Sequence, residues 1–421
     1  MFLKNKFYLI IFIILLFFNI NNVFWYCFGI TSNFNNSFND VLKFEKENNF
    51  KIKLLSFIFD KFGDKELLYL KNQIKILWKN RIYHITISPM WYSAKELAEW
   101  KFNKYYIKFF NFIKKENIKV IFRTMHEMNW NWYSWSWDPK NFKKAWVNVY
   151  NLSRYVWLNK YNILFDFSVN SIDLPKNKYW RVTPCYLKNK KRLHCLTFED
   201  YYPWNKYVDL MWMTLFNWWR AKNYDWAYWK TFKELLFNKK TQMFSRLKSY
   251  WKKIIIDELW TTAVNYYWKY NKYKVKFIYK NNNNLKNKWL KDAYNVIKNN
   301  KEIAAVIYFN RDKTNWLKKE VNWELDWSVI NYKTKKIYSW ILFLYLNSNI
   351  NSLPFKKNNW KIFNNNNKKN NILKIKKIKN KDTIKNIYFN NKNNINFIFN
   401  YYLYFNKILI NKNKQFCTLN I

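Results

Sequence analysis

The chain has 421 residues, half of them hydrophobic, which suffices for one large barrel or two ordinary domains. Its formal net charge is +48, from 75 Lys and Arg against 27 Asp and Glu, and such a balance invites a nucleic-acid partner. Lys, Asn and Ile nevertheless run throughout, as in a very A/T-rich gene. The basic residues gather into no patch or arm, so no nucleic acid is expected. Attraction to acidic cell-surface polymers is the expected side effect of the charge.

Composition carries a second message. Trp outnumbers Gly by 26 to 2, whereas an ordinary soluble chain is about 7 % Gly. The two counts together match that ordinary Gly content. Several Trp also stand where Gly is expected: Trp204 lies between Pro203 and Asn205, Trp137 precedes Asp138-Pro139, and Trp260 ends a strand-like run. Some bacterial lineages read UGA as Gly and others as Trp. The expectation is that many of these Trp, including 130, 137, 204 and 260, are Gly in the living cell. Trp132 and Trp135 are expected to be true tryptophans.

In chain order, residues 1–20 read as an export signal or membrane anchor. Lys4 and Lys6 precede an unbroken apolar run of 12 from Phe7 to Phe18, short for a span of about 20 residues. Eight apolar, β-branched or aromatic runs follow: Val23–Ile30, Lys51–Asp60, Ile82–Met90, Lys119–Asn129, Asn162–Asn170, Val208–Asn217, Lys253–Thr261 and Glu302–Asn310. Amphipathic stretches such as Ala94–Lys115 and Asn141–Leu158 lie between them. Apolar strands alternating with helices indicate a parallel sheet covered by helices. Eight such units predict an α/β (β/α)8 TIM barrel over residues 21–348, with its active site at the carboxyl ends of the strands. A doubly wound open sheet is the rival, but no Gly-rich phosphate loop is present even with Trp read as Gly. Residues 349–421, rich in Asn, Lys and Ile, read as a low-complexity tail. Cys185 and Cys195 can close a short disulfide loop if the protein is exported, and two unpaired buried thiols are the alternative. No spacing suits a metal, and no cofactor is expected.

Polar residues collect at the run ends: Asp60, His126-Glu127-Met128-Asn129, Asn217, Asp257-Glu258 and Asn310-Arg311-Asp312. In a barrel these converge on one cleft. Glu127 is followed by an aromatic-rich segment, and aromatic faces stack on the apolar side of sugar rings. Glu258, 131 residues on, lies three strands along. Two carboxylates are what glycoside hydrolysis classically needs. Strand alternation puts Glu258 inside and Asp257 toward the helices if Ile254 and Ile256 fill the barrel; the opposite phase stays open.

With Gly at 130 and 137, the segment from His126 reads His-Glu-Met-Asn-Gly-Asn-Trp-Tyr-Ser-Trp-Ser-Gly. It resembles the acid/base motif of glycoside hydrolase family 26, a retaining (β/α)8 family. Tyr201-Tyr202-Pro203-Trp204-Asn205-Lys206-Tyr207-Val208-Asp209 resembles the family's approach to strand six, and Ile256-Asp257-Glu258-Leu259-Trp260-Thr261 its nucleophile strand. The resemblance covers about residues 25–345. It implies a retaining endo-β-glycanase, most often acting on β-1,4-mannan, with mixed-linkage β-glucan and β-1,3-xylan as rivals. Glu127 would be the acid/base and Glu258 the nucleophile, with His126 and Trp132 at the cleavage subsite. Arg123 would either hold a carboxylate by a forked bond or join a buried ion pair. The chain departs from the family pattern at Phe216, where Tyr usually precedes Asn217, and at Tyr308, where Trp is the usual sugar platform. Asn217 and Tyr308 are nonetheless expected to bind substrate. A catalytically silent sugar-binding barrel and a basic adhesion protein are the alternatives.

Overall fold

The computed structural model describes residues 26–31, 39–49, 51–77, 81–173, 187–188, 191–192, 196–217, 230–261, 264–271, 274–281, 283–310, 339–346, 348 and 352–355. Eight strands form one closed parallel barrel: β1 (Cys27–Thr31), β2 (Leu54–Phe59), β3 (Ile82–Ile87), β4 (Lys119–Thr124), β5 (Ile163–Val169), β6 (Leu210–Asn217), β7 (Lys253–Thr261) and β8 (Ile303–Phe309). Each strand pairs with its successor, and β8 returns to β1 with Cys27 opposite Ala305. The eight apolar runs of the sequence each supply one strand. The helices are α1 (Asn39–Asn48), α2 (Asp64–Leu77), α3 (Ala94–Ala98), α4 (Asn103–Glu116), α5 (Pro139–Tyr155), α6 (Phe198–Tyr201), α7 (Phe232–Leu236), α8 (Met243–Lys248), α9 (Asn283–Ile297) and α10 (Ser339–Leu346). The export-signal segment, the Cys185–Cys195 pair and residues 356–421 of the tail lie outside the described residues.

Both faces of the strands are apolar because each is covered. Leu54, Ile82, Ile121, Leu164, Leu210 and Ile255 fill the barrel, joined by Leu353 from beyond residue 348. Phe57, Ile85, Phe122 and Phe165 belong to the outer cluster with α2 and α4 side chains such as Leu70, Phe109 and Ile113, and Met211 and Ile256 belong to the same cluster on the side of α7 and α8. Ile255, not Ile254 or Ile256, therefore faces the interior. Alternation then turns Asp257 inward as well, the reverse of the first phase considered. Gly29 of β1 answers a close approach, since a Cβ there would lie 2.7 Å from Leu54 Cγ and 2.8 Å from its carbonyl oxygen.

Among the described residues ten non-Gly residues have positive φ, and four of them are Trp: Trp100, Trp157, Trp204 and Trp251. Trp157 follows α5 at φ 71°, where its N–H donates to the Arg154 carbonyl and the Leu158 N–H to that of Ser153. This is a Schellman ending, whose left-handed position is ordinarily Gly or Asn. Trp100 ends α3 with the same pair of bonds, to Leu97 and from Lys101 to Glu96. It divides the expected Ala94–Lys115 stretch into α3 and α4. Asn117 occupies the same position after α4, with bonds to Lys114 and from Ile118 to Ile113. Trp204, at φ 71° and ψ 151°, lies in a region that is essentially Gly-only. These four side chains are 54–92 % exposed, so they bury little to offset the backbone. Trp130, Trp137 and Trp260 have no positive φ, and Trp260 is buried against Phe216. No backbone requirement for Gly exists at those three positions.

Trp157→Gly and Trp251→Gly are each expected to raise unfolding free energy by about 1 kcal/mol, as left-handed strain is relieved. Trp146→Gly is expected to cost at least about 3 kcal/mol, because Trp146 is buried and its indole donates to the Tyr207 carbonyl. Urea denaturation reads both signs. Mass spectrometry of the protein from its own cells is expected to find Gly at 100, 157, 204 and 251; Trp at all four would establish a truly Trp-rich chain.

Candidate active site

The two nominated carboxylates reach the mouth through backbone irregularities at strand ends. Past the end of β4, Met125 and Glu127 both take left-handed conformations, at φ 46° and 50°. The Glu127 N–H still donates to the Ser168 carbonyl of β5 at 2.8 Å. In β7 the register slips by one residue against both β6 and β8, so Glu258 lies in a bulge at φ 52°. Bulges of this kind re-aim side chains beside active sites. Asp257 follows the regular alternation inward, and the extra residue turns Glu258 to meet Arg123.

Glu127 is buried, and its Oε1 accepts from Asn170 Nδ2 at 3.0 Å. Asn170 is held by Asn129, whose Oδ1 accepts the Asn170 N–H at 2.8 Å. Asn129 Nδ2 also donates to the Asn170 carbonyl at 3.0 Å and to Asp173 Oδ1 at 2.9 Å. Burial, reinforced by the negative charge of Glu258, raises the Glu127 pKa to about 7; Arg123 and hydrogen bonds from Asn170 and Trp132 oppose the rise. The two carboxylates therefore share one electrostatic field.

Arg123 has no exposed side-chain surface. Its Nη1 lies 3.0 Å from Glu258 Oε1 and 3.6 Å from Asp257 Oδ2, so contact is through one nitrogen rather than a fork. The guanidinium lies 3.2 Å over the Trp212 ring, in a cation–π arrangement. Beneath it, His84 Nδ1 is 3.3 Å from Asp257 Oδ2 and its Nε2 is 3.3 Å from Asp166 Oδ2. Burial pushes His84 down to about 4 and Asp166 up to about 8. Burial also raises the Asp257 carboxyl, opposed by His84 and Arg123.

His126 is buried, with Nε2 at 2.8 Å from the Tyr133 hydroxyl, and burial together with Arg123 keeps its pKa well below the usual histidine range. The Tyr133 ring stacks on Trp135 at 4.6 Å, and the Trp135 indole donates to the His126 carbonyl at 2.9 Å. Trp132 is 62 % exposed and 5.0 Å from the Trp130 ring, so an aromatic face is open to a ligand.

Tyr308 is placed elsewhere, and Asn217 ends β6 with its amide bonded within the fold. Tyr308 is fully buried and paired in register with Ile30, among the outward-facing residues that pack under the helices. It presents no face for a sugar, because alternation puts Ile307 rather than Tyr308 inside. Asn217 is buried and ties β6 to β7, donating to Thr261 Oγ1 at 2.9 Å and accepting from the Lys230 N–H at 3.3 Å. The residues not nominated are Asn170, Tyr133, Asp257, His84 and Asp166. Asn170 ended the fifth apolar run, and that was its available signal; His84 and Asp166 were hidden inside apolar strands. Among the described residues no group of three or more His, Cys, Asp or Glu could hold a metal.

Fold and site together define a (β/α)8 barrel with a carboxylate pair at the mouth where such barrels carry their chemistry. No family model matches the sequence, and no curated protein matches it. Solved structures to which it is similar include a modular endo-β-1,4-mannanase of glycoside hydrolase family 26 from Cellulomonas fimi, at 9 % identity and TM-score 0.47, covering 77 % of this chain and 72 % of that one. GH26A from Muricauda sp. MAR_2010_75 is 13 % identical at TM-score 0.43, covering 75 % and 92 %. The Bacillus subtilis mannanase man26 is 12 % identical at TM-score 0.40, covering 76 % and 91 %.

Arg123→Met is expected to destabilise the protein by about 3–5 kcal/mol, since it strands buried carboxylates without their cation. Lys95→Met removes only an exposed pair with Glu99 and is expected to change stability by less than about 0.5 kcal/mol. Parallel urea titrations compare the two.

Proposed function

We propose that this chain is a retaining endo-β-glycanase of glycoside hydrolase family 26, exported or held at the cell surface, with β-1,4-mannan as its substrate. The observation that carries the reading is the asymmetric carboxylate pair. Glu127 sits in a setting that favours its protonated form, while Glu258 lies against the Arg123 guanidinium. A buried carboxyl that keeps its proton beside a second carboxylate bonded to a cation supplies an acid and a nucleophile.

In this reading Glu127 gives its proton to the glycosidic oxygen as Glu258 attacks the anomeric carbon, forming a glycosyl ester. Glu127, now ionised, takes a proton from the water that hydrolyses the ester. His126 and Trp132 line the subsite where the bond breaks, with Tyr133 fixing the imidazole. The choice of mannan over mixed-linkage β-glucan or β-1,3-xylan rests on the motif around Glu127. No cofactor enters the mechanism.

The general acid must be protonated, so kcat/KM is expected to fall as pH rises through about 7. Asn170→Ala removes a hydrogen bond that lowers the Glu127 pKa, which moves this alkaline limb to higher pH. Glu127→Ala is expected to lose about 10²–10⁴-fold in activity on mannan and to form a β-glycosyl azide when azide is added. Glu258→Ala is expected to be inactive. Reducing-end assays on mannan, lichenan and β-1,3-xylan test the substrate, and release of the β-anomer first tests retention. Activity on all three that is indifferent to both substitutions would overturn the assignment, as would no cleavage of any.

A further inference from the structure

Asp257 is a fully buried carboxylate that the proposed chemistry leaves without a task. Its Oδ1 accepts the N–H of Glu258 at 2.6 Å, directly on the left-handed bulge. Its Oδ2 faces His84 Nδ1 at 3.3 Å and Arg123 Nη1 at 3.6 Å. That same Arg123 nitrogen is the one bonded to Glu258 Oε1. One carboxylate thus touches both the backbone that turns Glu258 into the mouth and the cation that receives its side chain.

The groups that make up the surroundings of Asp257 and His84 come from five strands. His84 comes from β3, with Ser56 Oγ of β2 at 2.9 Å from its Nδ1. Arg123 comes from β4. Asp166 of β5 lies 3.3 Å from His84 Nε2 and accepts from Ser168 Oγ at 3.4 Å. Glu258 is its own neighbour on β7. Burial favours the proton on Asp166 and the neutral form of His84. A neutral imidazole that accepts from the Asp166 carboxyl at Nε2 carries its own proton on Nδ1, where Ser56 Oγ is the hydrogen-bond partner at 2.9 Å and Asp257 Oδ2 lies 3.3 Å away. The row Asp166–His84–Asp257 therefore ends in a carboxylate whose Oδ1 accepts the bulge amide and whose Oδ2 lies within ion-pair range of the imidazole and Arg123.

We propose that Asp257, seated on His84 and Asp166, is a positioning residue for the displacement: it holds the bulge and the guanidinium that together aim Glu258. The inference rests on the reading of Glu258 as nucleophile. A left-handed glutamate is not a conformation the chain keeps unless its surroundings over-determine it, and Asp257 bonds the backbone N–H of that residue while lying 3.6 Å from the cation that holds its side chain. Misaiming a nucleophile slows bond formation without weakening the remote contacts that bind substrate.

The test is covalent labelling with 2,4-dinitrophenyl 2-deoxy-2-fluoro-β-mannotrioside. In the labelling step a Glu258 carboxylate oxygen bonds to C1. The C1–oxygen bond to the aryl group breaks, and its electron pair leaves as dinitrophenolate. In Asp257→Asn the whole population is expected to become labelled, at least about ten-fold more slowly than the unaltered protein, while KM on mannan stays within about two-fold. His84→Gln is expected to slow labelling in the same sense. The double variant is expected to label about as fast as Asp257→Asn alone, because the two act as one unit. An unchanged labelling rate, or labelling of only a fraction of molecules at the normal rate, overturns the positioning role. If Asp257→Asn does not fold, His84→Gln decides by the same criteria. Unaltered protein that is not modified at Glu258 overturns the nucleophile reading, and this inference with it. Modification there with Asp257→Asn reacting normally overturns this inference alone.

Discussion

A guanidinium without solvent stands inside the barrel, and the mouth is built around the need to compensate it. Taking an arginine out of water is favourable only where anions and polarisable surface replace the lost hydration. Here the replacements come from separate strands: Trp212 of β6 beneath the guanidinium plane, and Asp257 and Glu258 of β7 at its Nη1. Because the anions sit three strands away, the compensation of Arg123 depends on barrel closure. Its charge reaches further, opposing the rise in the Glu127 pKa and adding to the burial that holds the His126 pKa down. One buried cation thereby acts, alongside burial, on both titratable groups that follow β4.

Much of this architecture was legible in the sequence, for a physical reason. Parallel strands covered on both faces read as nearly continuous apolar runs, and all eight runs became barrel strands. The strand-end polar residues His126, Glu127 and Glu258 were legible because barrels gather such ends. The facing of β7 was not. Alternation counts parity, and a one-residue bulge changes parity midway, so Glu258 reaches Arg123 although Asp257 obeys the regular phase. Nor did composition distinguish Tyr308 as a sugar platform from Tyr308 as packing, since the difference is again one residue of phase. His84 and Asp166 were invisible because a polar residue inside an apolar strand is read as an interruption until its partners on other strands are known.

Six of the ten left-handed residues among those described fall into two kinds. Glu127 and Glu258 are long polar side chains in a conformation they disfavour, each fixed by specific bonds at the mouth. Asn49, Asn117, Trp157 and Trp251 stand in the turns that lead from helices into β2, β4, β5 and β7. Asn is an ordinary occupant of such a turn, whereas Trp is not. The equivalence of the positions gives the internal control: where the turn demands a left-handed residue, the chain offers either Asn or an exposed indole.

Those turns lie at the amino-terminal ends of the strands, the face opposite the carboxylates. Barrels divide their labour between the two faces, chemistry on one and stability on the other. The helix-to-strand turns at Trp157 and Trp251 expose 79 % and 92 % of their indoles, so they form sticky points remote from the cleft. The decoding of a single codon can therefore govern how well the molecule folds and stays dispersed on one face. On the other face, the site around Arg123, Glu127 and Glu258 is the same under either decoding at those two turns.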